Sequence, residues 1–96
     1  MTLESTIEKM FVAAVKKKGG MTLKLTGYQG IPDRLVLMPH GDMMFVELKQ
    51  QGKKPRRRQD VMAEKLRELG YKVWIIDNQD VIDQVLEATN GINSRI

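Results

Sequence analysis

Asp33, Glu47 and Lys49 are the residues of this 96-residue chain whose types and spacing suit chemistry. Asp33 opens the apolar run Arg34-Leu35-Val36-Leu37, and Glu47 and Lys49 close the run Met43-Met44-Phe45-Val46-Glu47-Leu48-Lys49. Between them, Pro39-His40-Gly41 has the composition of a hairpin loop, with Pro pre-set for the first turn position and Gly free to take the left-handed one. That loop sets the register of the two strands. With Met38 facing Asp42, Leu37 meets Met43, Leu35 meets Phe45, and Asp33 meets Glu47. A loop one residue shorter or longer would move the carboxylates apart or to opposite faces. Opposed side chains start from Cβ atoms roughly 4.5–5.5 Å apart, and two carboxylates so placed repel unless positive charge lies between them. A divalent cation supplies that charge. Strand alternation puts Lys49 on the Glu47 face, roughly 6.6–6.8 Å along the strand, and turns Val46 and Leu48 to the other side.

Composition narrows the chemistry further. With no cysteine and one histidine, the chain has no disulfides, thiolate metal sites, thiol nucleophile or His-rich metal constellation. Hard oxygen donors of the Asp and Glu type suit Mg²⁺ or Mn²⁺. Such an ion acidifies water and neutralises charge on a phosphate, and Lys49 beside it suits orienting the attacking water. The chemistry such a set suits is hydrolysis of a phosphate ester.

The net charge of +4 is informative because of where it sits. Lys53, Lys54, Arg56, Arg57 and Arg58 directly follow the acid-acid-lysine set and read as phosphate-backbone contacts, with nothing that suggests base-specific reading. A solvated loop leading into a helix is the plain alternative. Lys16, Lys17 and Lys18 complement a helix C-terminus or touch DNA. Hydrophobic residues at 42% and charged residues at 29% fit one folded domain over residues 1–96. No apolar run approaches the roughly 18 residues of a membrane span, and the first fifteen residues are amphipathic, unlike a signal peptide. A cytosolic protein is expected.

The elements that must position these residues follow from periodicity. Residues 2–18 read as a helix through Leu3, Ile7, Met10, Phe11, Ala14 and Val15, capped by Thr2 or Ser5 and ended by Gly19-Gly20. Glu4 and Glu8 flank its apolar stripe, and either suits looking toward the hairpin. Residues 21–26 alternate as a half-buried strand with Leu23 and Leu25 inward. Gly27-Tyr28-Gln29-Gly30 is a loop that suits closing over a substrate or merely connecting, and Tyr28 suits stacking on a base or covering the sheet edge. Apolar residues on both strand faces of the hairpin imply helices on both sides of a sheet. Pro55 suits the start of a second helix, striped by Gln59, Met62, Leu66 and Leu69 and stopped by Gly70. The polar Gln59 points at the site near Lys49 or satisfies backbone groups at the helix start. Residues 71–76 form a buried strand with Trp74 in the core. Asp77 or Asn78 caps a third helix with the face Val81, Ile82, Val85 and Leu86, stopped by Asn90-Gly91 and followed by a frayed tail to Ile96. The order is αβββαβα.

That order, with Gly30-Ile31-Pro32-Asp33, then Glu47-Leu48-Lys49, then Arg56-x-x-Gln59, resembles the PD-(D/E)XK nuclease superfamily and within it the VRR-NUC family, the virus-type replication-repair nuclease domain. The resemblance implies an α/β, restriction-endonuclease-like core with a mixed sheet flanked by helices. It implies that Asp33, Glu47 and Glu8 are metal-binding carboxylates, with Glu4 the other choice in the first helix. The Leu48 carbonyl becomes a further metal ligand, Lys49 the catalytic lysine and Gln59 a member of the site. It further implies a nuclease of branched, Holliday-junction-like DNA in replication, repair or recombination, selective for structure over sequence, and a homodimer. The competing class is a non-catalytic nucleic-acid-binding domain that uses the 53–58 segment, and a structural or regulatory partner is a third.

Overall fold

Ile7, Phe11 and Val15 recur every four residues, and that spacing puts all three on one face of helix α1 (Glu4–Lys17), where they are fully buried. This computed structural model describes residues 2–54 and 56–93, the side chains of residues 90–93 excepted. Neither Thr2 nor Ser5 caps α1: the N-cap is Leu3, with no side-chain cap. The reason is a competing partner, since the Thr2 carbonyl accepts from the Gln51 N–H at 3.1 Å and the Thr2 N–H donates to Gln51 Oε1 at 3.2 Å. The start of the chain is thereby drawn to the loop beyond the hairpin.

Four strands, β1 (Met21–Lys24), β2 (Arg34–Leu37), β3 (Met43–Leu48) and β4 (Val73–Ile76), form one sheet in the order β1-β2-β3-β4. The first three pair antiparallel and β4 runs parallel to β3, so the sheet is mixed. The hairpin has the register its turn implied, with Leu37 opposite Met43 and Leu35 opposite Phe45. The Met38 N–H closes it on the Asp42 carbonyl at 2.8 Å. The turn itself, a 3₁₀ segment over Pro39–Gly41, departs from expectation in one respect: His40 (φ 67°) is left-handed as well as Gly41 (φ 81°). Histidine is among the residues that tolerate that region.

Two further helices, α2 (Arg57–Glu68) and α3 (Gln79–Asn93), complete the order αβββαβα. On one sheet face α1 and α3 cover Val36, Met44, Val46, Leu48 and Ile76, joined by Ile82, Val85 and Leu86 of α3 in a single core, with Trp74 packed half-buried against it. Alternation then turns Leu35, Phe45, Glu47, Val73 and Ile75 to the opposite face. There α2 lies, with Ala63 and Val73 both buried. Asn78 caps α3 by accepting from the Val81 N–H at 3.0 Å. The helix passes the expected stop at Asn90-Gly91 and runs to Asn93, while residues 94–96 and Pro55 lie outside the described residues.

Two readings of sidedness change. The first strand ends at Lys24, and Leu23 (41% exposed) and Met21 (54%) face outward. β1 is the sheet edge, and α2 packs on the sheet at β4 and reaches β3 through Gln59, which leaves this flank of β1 largely open. In α2, Gln59, Met62 and Leu66 are half-buried as the stripe implied, but Leu69 is exposed because the helix has ended at Glu68, and Ala63 takes the buried place. Among the described residues no helix is long and apolar enough to cross a membrane.

Phe11 is the largest fully buried side chain, with α1 held to the sheet through it. Phe11→Ala should cost about 3–5 kcal/mol, a large part of the roughly 5–15 kcal/mol typical of a domain. Urea denaturation should show this as a lower midpoint with an unchanged slope.

Candidate active site

The hairpin register brings Asp33, one residue before β2, across from Glu47 near the end of β3. Asp33 is held there by the chain it faces: its Oδ2 accepts from the Leu48 N–H at 2.8 Å. Glu47 is 3% exposed, an unusual place for a carboxylate. Two side chains hold it. Lys49 Nζ stands 3.3 Å from Glu47 Oε2, and Gln59 Nε2 donates to the same oxygen from the first turn of α2. In register beside it on β4 is Ile75, which offers no charge.

Gln59 settles its two alternatives by satisfying both. Its Nε2 binds Glu47 while its Oε1 accepts from the Arg56 N–H at 2.9 Å, so one amide caps α2 and fixes the carboxylate. The helix start is placed over the sheet by a backbone contact at Gly30. A Cβ on Gly30 would sit 2.6 Å from the Arg58 carbonyl oxygen, and Gly30 has φ +81°, so only glycine suits this position.

The electrostatics of the pair are unbalanced. Burial, and next the negative charge of Asp33, push the Glu47 carboxyl above the usual range, against the opposing hydrogen bond and charge of Lys49. More positive charge would be accommodated. Hard oxygen donors of this kind fit a small divalent cation, and Mg²⁺ is held through one or two carboxylates with waters completing its shell. Leu48 has only its backbone to contribute, because its side chain is in the core.

Glu8 is engaged elsewhere. Its Oε2 accepts from Arg34 Nε at 2.9 Å, and Arg34 Nη1 donates to Thr22 Oγ1 at 2.9 Å, a bracket that ties α1 to β1 and β2. Among the described residues no three His, Cys, Asp or Glu side chains gather as a metal cluster. Glu4, the other first-helix choice, is exposed.

Tyr28, 67% exposed, and Arg56, Arg57 and Arg58 line one groove of about 870 Å³. A smaller hollow of about 310 Å³ shares Arg56 and Arg58 and is lined also by Gln59, whose amide binds Glu47. Lys53 and Lys54 are exposed but outside the lining of both. The 27–30 loop is a tight turn, with the Ile31 N–H donating to the Tyr28 carbonyl at 3.2 Å. Sequence reasoning missed two contributions. Arg34 gave no signal beyond being a cation at a strand start; Val61 and Lys65 in the groove follow Arg57 at steps of four, a spacing that marks one helix face.

The chain is 42% identical over 89 residues, 91% of its length, to the "Putative nuclease p44" of Acyrthosiphon pisum secondary endosymbiont phage 1, spanning 95% of that protein. A solved structure described as a VRR_NUC domain superposes with a TM-score of 0.83 at 31% identity, over 91% of this chain and 97% of the other. The chain belongs to the VRR-NUC nuclease family. No protein-family model matches it. The VRR-NUC resemblance rested on the strand-helix order and on the residues around Asp33, Glu47 and Gln59, and the fold it implied is the one observed.

A raised pKa in the folded state means that ionised Glu47 counts against folding. Stability contributed by its protonated form is present below the ordinary carboxylate value and is lost as pH rises through the raised one. Glu47→Gln in this VRR-NUC domain should therefore flatten that fall and raise the melting temperature of the metal-free protein at neutral pH. Mg²⁺ should raise the melting temperature of the native protein but not of the variant, as read by thermal denaturation in EDTA and in Mg²⁺.

Proposed function

We propose that this VRR-NUC chain is a metal-dependent deoxyribonuclease that cuts phosphodiester bonds within structured or branched DNA. The observation that carries the reading is Asp33 facing a buried Glu47, with Lys49 Nζ 3.3 Å from that carboxylate and Gln59 joining it to a hollow that shares Arg56 and Arg58 with the basic groove. Opposed carboxylates with an ammonium beside them suit metal-assisted hydrolysis of a phosphate ester.

Asp33, Glu47 and the Leu48 carbonyl would hold Mg²⁺ or Mn²⁺, which when bound lowers the pKa of water and offsets phosphate charge. The Leu48 amide and the Gln59 amide fix the two carboxylates in advance, so little reorganisation remains when substrate arrives. Lys49 orients the attacking water and counters charge that develops on the phosphoryl oxygens. Glu8, held by Arg34, braces the hairpin from the other sheet face. Arg56, Arg57 and Arg58, with Lys53 and Lys54 beyond, neutralise the flanking backbone, which makes binding independent of sequence and sensitive to salt.

The relative is a phage protein, which supports work on replicating, recombining or damaged DNA in the cytoplasm of an infected bacterium. A second copy of the chain fits this role. The site occupies one short stretch of a small domain, a branched substrate presents two strands, and the edge strand β1 leaves Met21 and Leu23 exposed for self-association. Light scattering should give the mass of a dimer.

Labelled single-stranded, duplex, flapped and four-way-junction DNA should yield products with Mg²⁺ or Mn²⁺ and none with EDTA. Glu47→Ala and Lys49→Ala should each lower the cleavage rate by about 10²–10³ while far-UV circular dichroism stays unchanged. Salt-sensitive binding without cleavage under any metal would instead identify a nucleic-acid-binding domain that uses the 53–58 segment.

A further inference from the structure

The groove beside the carboxylates has more in it than phosphate chemistry needs. Its basic members are Arg56, Arg57, Arg58 and Lys65, and no carboxylate lines it. Between these cations lie an aromatic ring, Tyr28, and an apolar wall made by Val61 and Met62 of α2. Tyr28 is 67% exposed and Val61 46%, so neither is spent on the core. A duplex keeps the faces of its bases stacked and presents phosphates and base edges to a protein. Cations alone would serve such a substrate. An exposed ring facing an apolar wall is served only by a base that has left its stack.

We infer that this groove is a subsite for an unpaired nucleobase and its flanking phosphate, one to a few nucleotides from the bond to be cut. The base stacks on Tyr28 against Val61 and Met62, and the phosphate lies among the Arg57 and Lys65 side chains, one turn apart twice along α2. The phosphate path then continues past Arg56 and Arg58 to the hollow that ends at Gln59, whose amide binds Glu47. The volume, about 870 Å³, admits a nucleotide with room for its neighbour. The walls are set by backbone as well as side chains, since the Gly30 approach to the Arg58 carbonyl holds the Tyr28 loop beside α2. The consequence for substrate class is that single-stranded stretches, flaps and melted junction arms are held, and fully stacked duplex is held less well. The subsite itself rests on the groove; its nearness to a scissile bond rests on the nuclease reading.

The test uses full-length Lys49→Ala protein in EDTA, so that no answer depends on cleavage. Fluorescence anisotropy compares an oligothymidylate with an abasic chain carrying the same number of phosphates. The native groove should prefer the thymidylate about tenfold, the scale of one stacked base. Tyr28→Ala should abolish that preference without changing affinity for the abasic chain, and Tyr28→Phe should keep it. Arg57→Gln should weaken both chains alike. Equal affinity for the two chains, binding of neither, or a preference that survives Tyr28→Ala overturns the inference. Failure of the nuclease reading would show separately, as this base preference without metal-dependent cleavage by protein that retains Lys49.

Discussion

Burying the Glu47 carboxylate is the constraint on which the rest of the structure turns. A charged oxygen taken out of water at 3% exposure must be matched by donors, and the chain supplies them from two elements. Lys49 comes from the same strand by alternation, and Gln59 comes from α2. The second requirement decides where α2 must start, and with it where Arg56, Arg57 and Arg58 stand. The same carboxylate explains the sheet order. β3 is central, with β2 carrying Asp33 on one side and β4 carrying Ile75 on the other, so Glu47 meets one charged neighbour strand and one apolar one. Burial, and next the charge of Asp33, raises its proton affinity against the opposing pull of Lys49.

The two sheet faces share this work unequally. The α1 and α3 side is a closed core in which Phe11, Ile7 and Ile82 are fully buried. On the α2 side one helix covers one part of the sheet: its first turn reaches Glu47 and its flank forms a wall of the basic groove, while Met21 and Leu23 of β1 stay exposed. Arg34 links the sides. It neighbours Asp33 in sequence, yet points its guanidinium to Glu8 and Thr22 on the core face, so the bracket that holds α1 and the acid that faces Glu47 are set by a single strand register.

Much of this was legible in the sequence because it depends on period and on turn length. Pro39-His40-Gly41 fixed which residues oppose, and period-2 alternation fixed the face of Glu47 and Lys49. What was not legible depends on which surfaces the helices leave bare. Leu23 alternates like a buried residue, and no local signal says that α2 sits at the far side of the sheet. Thr2 has the chemistry of a helix cap and is diverted by Gln51, a partner 49 residues away. Glu8 lies at a position the family pattern favours, but its carboxylate pairs with Arg34, whose direction follows from the strand's parity rather than from composition. Val61 and Met62 look like helix stripe until the loop carrying Tyr28 is placed across from them.

The contact of Gly30 with the Arg58 carbonyl carries a consequence of another kind. Two main chains meeting at van der Waals distance leave no rotamer to adjust, so the separation between the 27–30 loop and the first turn of α2 is a rigid gauge. Side chains along the groove can be exchanged without altering its aperture, whereas a methyl group at position 30 would reset it. The backbone therefore sets the spacing between loop and helix, and the side chains that line the groove set its chemistry.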